Sequence, residues 1–165
     1  MRLPLRFPLF FFALILFSCQ NKGPATTQTS LTDAQKAEQE ARRQEIMDLH
    51  NAVMPQTAVV NRLSRQIKGF LQAESQAGRE DENRQEALVE VIKRLNEADE
   101  AMYDWMGKFI NNLDMLRESM DHQAVMNYLD GELVKIRDID TLTQSSIERA
   151  RAAMEKYGIN QSEDK

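Results

Sequence analysis

Beyond Pro55 the chain contains no further proline, and through that stretch apolar side chains return at steps of three and four residues. Proline breaks a helix from within because it lacks an amide hydrogen and collides with the carbonyl four residues back. Glycines are few, and no run alternates Val or Ile with polar residues over a strand's length. Helix is the regular structure this pattern fits, so the expected class is all-α.

Three seams carry the pattern. The first joins Ile46, Leu49, Val53, Gln56, Val60, Leu63, Ile67 and Phe70, with Gln56 its one polar member. This is heptad spacing. Its helix is expected to start at Ser30 or Thr32, whose hydroxyls can cap free amides, with Asp33 as a first-turn acid. Gly78, just past Ala77, is its terminator. The second helix is expected to begin around Asp81 and to run unbroken to between Ser119 and Asp121, showing Leu88, Ile92, Leu95, Ala98, Met102, Trp105, Phe109, Leu113 and Leu116. The third, capped by Asp121 and stopped by Gly158, shows Val125, Leu129, Leu133, Ile136, Ile147, Ala150, Met154 and Tyr157. Asp140 and Thr143 weaken that seam at its middle, where Ile139 and Leu142 take over.

Short turns make successive helices antiparallel. Residues 31–159 are therefore expected to form an antiparallel three-helix bundle of coiled-coil character, followed by a disordered polar tail at 160–165. Pairing between chains is the alternative, so the oligomeric state stays open. Pro55 either kinks the first helix or starts a new one. A new start would make Met54 the cap, and Met has no oxygen to cap with. The seam also keeps its phase through the site, so the first helix is expected to be kinked at Pro55.

Acidic residues outnumber basic ones, 26 to 21, for a formal net charge of -5. Without a basic stripe, no nucleic-acid partner is expected.

The single cysteine, Cys19, follows Leu16, Phe17 and Ser18. Upstream lie Arg2 and Arg6 and a roughly nine-residue apolar core, the layout of a secretory signal peptide. A cysteine at the cut resembles the bacterial lipoprotein signal, in which the thiol is acylated and the chain is cleaved before it. Leu16 and Ser18 fit that pattern, and Phe17 is larger than its usual residue. An ordinary secreted protein or an uncleaved anchor are the alternatives, although a span needs about 20 apolar residues. The expected organisation is a lipoprotein signal peptide at 1–18 and a flexible tether at 19–30 beginning with acylated Cys19. Stretched at about 3.4 Å per residue, its polar stretch from Gln20 to Ser30 could hold the folded part some 35 Å from the bilayer. Gln20, where an Asp would favour inner-membrane retention, leans toward the outer membrane. Acylation also leaves no thiol for disulfide or thiol chemistry.

Two segments stand out: Met47-Asp48-Leu49-His50-Asn51-Ala52-Val53-Met54-Pro55, and Ala98-Asp99-Glu100-Ala101-Met102-Tyr103-Asp104-Trp105-Met106-Gly107-Lys108-Phe109. Counted outward from Gly78, they face each other across the first hairpin. His50, Met54 and Pro55 are thus expected to contact Asp99, Met102, Trp105, Met106 or Phe109. Met47, His50 and Met54 share one helix face, and Met102 and Met106 another. Thioethers and imidazole suit Cu(I), while Met is also a good filler of irregular cores. The His50 ring, read as structural, would bond Asp99, Asp104 or a carbonyl freed near Pro55.

The segments His50-x-x-Val53-Met54-Pro55 and Ala98-Asp99-Glu100-Ala101-Met102-x-x-Trp105-Met106, behind a lipoprotein signal, resemble a family of small Bacteroidota lipoproteins often labelled "viral A-type inclusion protein". The resemblance spans most of the mature chain. It implies a bacterial, membrane-anchored, helical protein and carries over no established activity.

Catalytic patterns are missing. Neither histidine sits in a Glu-x-x-His pair of the di-iron kind, and no nucleophile elbow or phosphate loop occurs. The expected function is therefore that of a lipid-anchored cell-envelope structural or interaction protein without catalytic activity or cofactor, bound to the membrane through Cys19 and to an envelope protein partner. The alternative is a periplasmic copper-binding protein using Met47, His50, Met54, Met102 and Met106.

Overall fold

The computed structural model describes residues 31–160. The expected signal peptide, the tether with Cys19, and all of the expected tail but Asn160 lie outside them. The described residues form α1 (Asp33–Val53), α2 (Gln56–Gln76), α3 (Glu82–Lys108), α4 (Leu113–Ser119) and α5 (His122–Tyr157), with no strand among them. None of these helices is long and apolar enough to cross a membrane.

The helix ends follow from local chemistry. Thr32 and Gln35 form a reciprocal capping box at the start of α1. Asp81 and Asp121 each accept a backbone amide, from Arg84 and Ala124, at 2.7 and 2.8 Å. Gly78 and Gly158 adopt left-handed backbone, φ 65 and 66. Beyond them Arg79 N donates to the Glu74 carbonyl (3.0 Å) and Ile159 N to that of Met154 (2.8 Å). Both ends are the same motif, in which a residue past the glycine reaches back to satisfy an orphan carbonyl. Glu74 then pins the first hairpin by pairing with Arg79 and Arg84 at 2.7 and 2.6 Å.

The second seam departs from expectation, because α3 stops at Lys108 and a separate α4 begins at Leu113. Phe109 is extended (ψ 120), and the side chain of Asn112 accepts from the amides of Asp114 and Met115. An asparagine that offers its own oxygen to the backbone competes with helix continuation. The Ile110 amide, released from the helix, donates to the Tyr128 hydroxyl at 2.7 Å.

At Met54–Pro55 the α-helical ladder is interrupted while both residues keep right-handed helical backbone. The Met54 carbonyl accepts from the amide and hydroxyl of Thr57, at 3.2 and 2.9 Å. The buried member of the seam here is Thr57 and not Gln56, which is half-buried.

Pairings between helices are specific. Asn61 bonds Asp99, Ser64 bonds Asn96 and Glu74 bonds Arg84, so residue numbers fall on α3 as they rise on α2. Trp105 bonds Glu132, and the Arg94 carbonyl accepts from Ser146, giving the same sense between α3 and α5. Arg42 pairs with Asp130 and Glu45 with Arg137, so numbers rise together on α1 and α5.

The core has two apolar clusters. One holds Ile46, Val53, Met102, Trp105, Leu129 and Ile136, the other Val60, Ile67, Leu88, Leu95, Ile147 and Met154. Buried small residues stand between them: Thr57 after Val53, Ala98 before Met102, and Thr143 and Ser146 after Ile139. Thr143 is 1% exposed, and its hydroxyl has no hydrogen-bond partner. An unsatisfied buried hydroxyl costs on the order of 1–3 kcal/mol. Thr143→Val removes that hydroxyl at nearly constant shape and is expected to raise stability by about 1 kcal/mol in urea unfolding. A loss of stability would show that the hydroxyl is satisfied in solution.

Candidate functional site

Parts of the two segments singled out in the sequence meet around Trp105, on the last turn of α3. Its ring is 6% exposed. The His50 ring lies against it with centroids 5.7 Å apart, and Phe109 stacks on it at 4.8 Å and 15°. Tyr128 continues the row beyond Phe109 at 6.4 Å. Trp105 and Phe109 are four residues apart, and the Phe109 amide still donates to the Trp105 carbonyl at 2.9 Å, so the two rings meet as neighbours at the end of α3.

The Trp105 indole N–H donates to Glu132 Oε2 at 2.9 Å. Glu132, on α5, is 5% exposed, and Lys135 donates to its other oxygen at 2.7 Å. A buried carboxylate persists only when its oxygens are occupied. The hydrogen bond to Glu132 raises the Lys135 pKa. Burial pushes the Tyr128 hydroxyl up as well, opposed by the Ile110 amide it accepts from. Glu132 had no signal in the sequence. It directly precedes the seam residue Leu133, and an acid there reads as solvated helix surface.

His50 is half-buried. Its Nε2 lies 3.2 Å from Met106 Sδ, and its Nδ1 lies 3.2 Å from Asn51 Oδ1. It therefore bonds neither Asp99 nor Asp104. Asp99 accepts from Asn61 at 2.9 Å, and Asp104 pairs with Lys108 at 3.2 Å. Met54 and Met106 are half-buried and pack on the same cluster as Met102, which is fully buried within it. Pro55 is exposed, and Met47 is half-buried outside that cluster.

A second polar cluster lies near the start of α1. Gln39 is fully buried. Its oxygen accepts from Arg117 Nε at 2.7 Å, and its amide nitrogen faces His122 Nδ1 at 3.2 Å. His122 Nε2 lies 3.3 Å from Glu38, and Arg117 also reaches Asp114 and the Lys36 carbonyl. This cluster ties α4 and the start of α5 to α1. A polar residue seven positions before Ile46 gave no hint of burial, since the apolar seam begins only at Ile46.

Among the described residues no group of three or more His, Cys, Asp or Glu could hold a metal ion. An open depression of about 600 Å³ lies between α1 and α5, lined by Ala41, Gln44, Glu45, Asp48, Leu49 and Arg137. Its polar members bond one another: Arg137 pairs with Glu45 at 2.6 Å, and Gln44 donates to Asp48 at 2.8 Å. No family model, curated protein or solved structure matches the chain.

Trp105→Ala is expected to cost about 3–5 kcal/mol, the range for removing a large buried aromatic. Trp105→Phe keeps most of the apolar volume but leaves Glu132 Oε2 without its donor, which costs about 1–3 kcal/mol. Chemical unfolding of both variants checks the order. Near-neutral values would mean that the ring is not locked in the core.

Proposed function

We propose that this protein is a lipid-anchored cell-envelope structural or interaction protein without catalytic activity. We propose in addition that it folds as an antiparallel three-helix bundle whose first arm, α1 and α2, is kinked at Pro55. The pairings of α3 with α2 and with α5 support the antiparallel arrangement. The helical backbone carried through Met54 and Pro55, with the ladder interrupted there, supports one bent arm over two independent helices.

The observation that carries the functional reading is how the buried Glu132 and Gln39 and the half-buried Asp99 are used. Glu132 holds Trp105 and Lys135, Gln39 holds Arg117 and faces His122, and Asp99 holds Asn61. Each ties one helical segment to another, Lys135 apart. A general acid or base needs a free group in reach of a substrate, and these are committed to the fold. The sequence around Cys19 supports the anchor, and the resemblance to small Bacteroidota lipoproteins supports the same setting. Gln20 favours the outer membrane. The partners on this reading are the bilayer, through Cys19, and an envelope protein, with no nucleic acid.

Cys19→Ala is expected to accumulate as an unprocessed precursor that takes up no label from a palmitate analogue, while the parent chain is shortened and labelled. Labelling and sorting of the variant like the parent would overturn the anchored reading. Cross-linking in intact envelopes, followed by identification of the captured protein, tests for the partner.

A further inference from the structure

We propose that His50 Nε2 and Met106 Sδ, with Met54, form a binding site for a soft monovalent cation of the Cu(I) type. The inference stands on geometry in the folded part and is independent of the anchored reading.

His50 and Met106 come from different helices, yet their donor atoms lie 3.2 Å apart. Both residues are half-buried, so the pair is held by the core and reachable from solvent. On its other side, His50 Nδ1 faces Asn51 Oδ1 at 3.2 Å. In the tautomer that donates Nδ1–H to that oxygen, the Nε2 lone pair is turned toward the sulfur. No proton then lies between nitrogen and sulfur, and a soft cation can bridge them.

Zn2+, with the same filled shell as Cu(I), binds imidazole nitrogen at about 2.0 Å and thiolate sulfur at about 2.3 Å, and these lengths serve as the guide here. At a trigonal angle those bonds put nitrogen and sulfur about 3.7 Å apart. The observed spacing needs only about 0.5 Å of opening, which the flexible, unbranched Met106 side chain can supply. Met54 lies one turn beyond His50 and packs on the same cluster as Met106, which makes it the third donor this proposal names. Thioether donors select Cu(I) over hard ions. The nearby carboxylates are already engaged, Asp99 by Asn61 and Asp104 by Lys108. The site excludes Met102, which is fully buried, and Met47, which lies outside the cluster.

The test uses the full chain carrying Cys19→Ser, so that no thiol competes, in detergent and without oxygen. Cu(I) is titrated against a chromophoric chelator while Trp105, the chain's one tryptophan, reports by fluorescence from beside the His50 ring. The expected result is one Cu(I) per chain, with quenching that ends at the same point. Met106→Leu, a volume-conserving change, and His50→Gln should each weaken binding at least tenfold with helicity and melting retained. His122→Ala should leave binding unchanged. Absence of binding at micromolar Cu(I), or binding undiminished in both site variants, would overturn the proposal and leave the contact as an N–H···S hydrogen bond. If one site variant fails to fold, the other decides.

Discussion

The buried bond between the Trp105 indole and the Glu132 carboxylate sets the register of α3 against α5, on which the aromatic cluster around it depends. A carboxylate that is 5% exposed is tolerable only where its oxygens are met, and the indole N–H and the Lys135 ammonium meet them. The requirement locks one register between α3 and α5, since a slip of one residue would strand the acid. With the indole held, its faces become a fixed platform. His50 comes to it from α1 and Phe109 from the end of α3, and Tyr128 of α5 closes the row and takes the Ile110 amide. Apolar side chains alone would pack in several registers. The buried acid makes one of them much less costly than the rest.

Helix ends were the most legible part of the sequence, because each depends on one residue's local chemistry. Asp81, Asp121, Gly78 and Gly158 act where that chemistry says they should. The break after Lys108 was hidden because Trp105, Phe109, Leu113 and Leu116 keep heptad steps straight across it. Spacing cannot distinguish a residue that stays on the seam from one that leaves the helix and returns its ring to the same core. The signal lay in the pair Asn111 and Asn112, which prefer to bond the backbone locally. The exchange of Gln56 for Thr57 has a similar origin. Once the ladder is interrupted at Pro55, counting by threes and fours no longer carries over unchanged, although Val53 and Val60 both stay buried. Glu132 and Gln39 were invisible for a different reason: burial of a polar side chain depends on partners remote in sequence.

The small residues between the two apolar clusters bear on Pro55. Thr57, Ala98, Thr143 and Ser146 are buried there in place of large apolar side chains. A proline in a helix removes one hydrogen bond and needs room for its ring. Putting the least bulky layer of the core next to that interruption lets the helices adjust there without emptying a large cavity. The Met54 carbonyl, which accepts both the Thr57 amide and its hydroxyl, is stitched locally. The weak middle of the third seam, at Asp140 and Thr143, is thus the counterpart of the proline on the first. Two irregularities that look unrelated in the sequence belong to nearly the same level of the structure.

That level also bears on where chemistry can occur. His50 lies one turn before the interruption, and Met54 sits on it. Elsewhere along the seam, Ile46 and Ile67 are 0% exposed. Close to Pro55, Val53 and Thr57 are buried while His50 and Met54 are half-buried, so those two polarizable groups are both positioned by the core and open to solvent. On the anchored reading, the tether joins the folded part at the start of α1. His50 lies 17 residues beyond Asp33 (50 − 33), about 25 Å along the helix at about 1.5 Å per residue. A site at that distance clears the lipid headgroups if α1 points away from the bilayer, even with a collapsed tether. If α1 instead lies along the membrane, the His50 and Met106 face competes with lipid for contact. A soft-metal site and a membrane-lying α1 are therefore hard to combine, and the orientation of α1 decides how much of this face is left for a ligand.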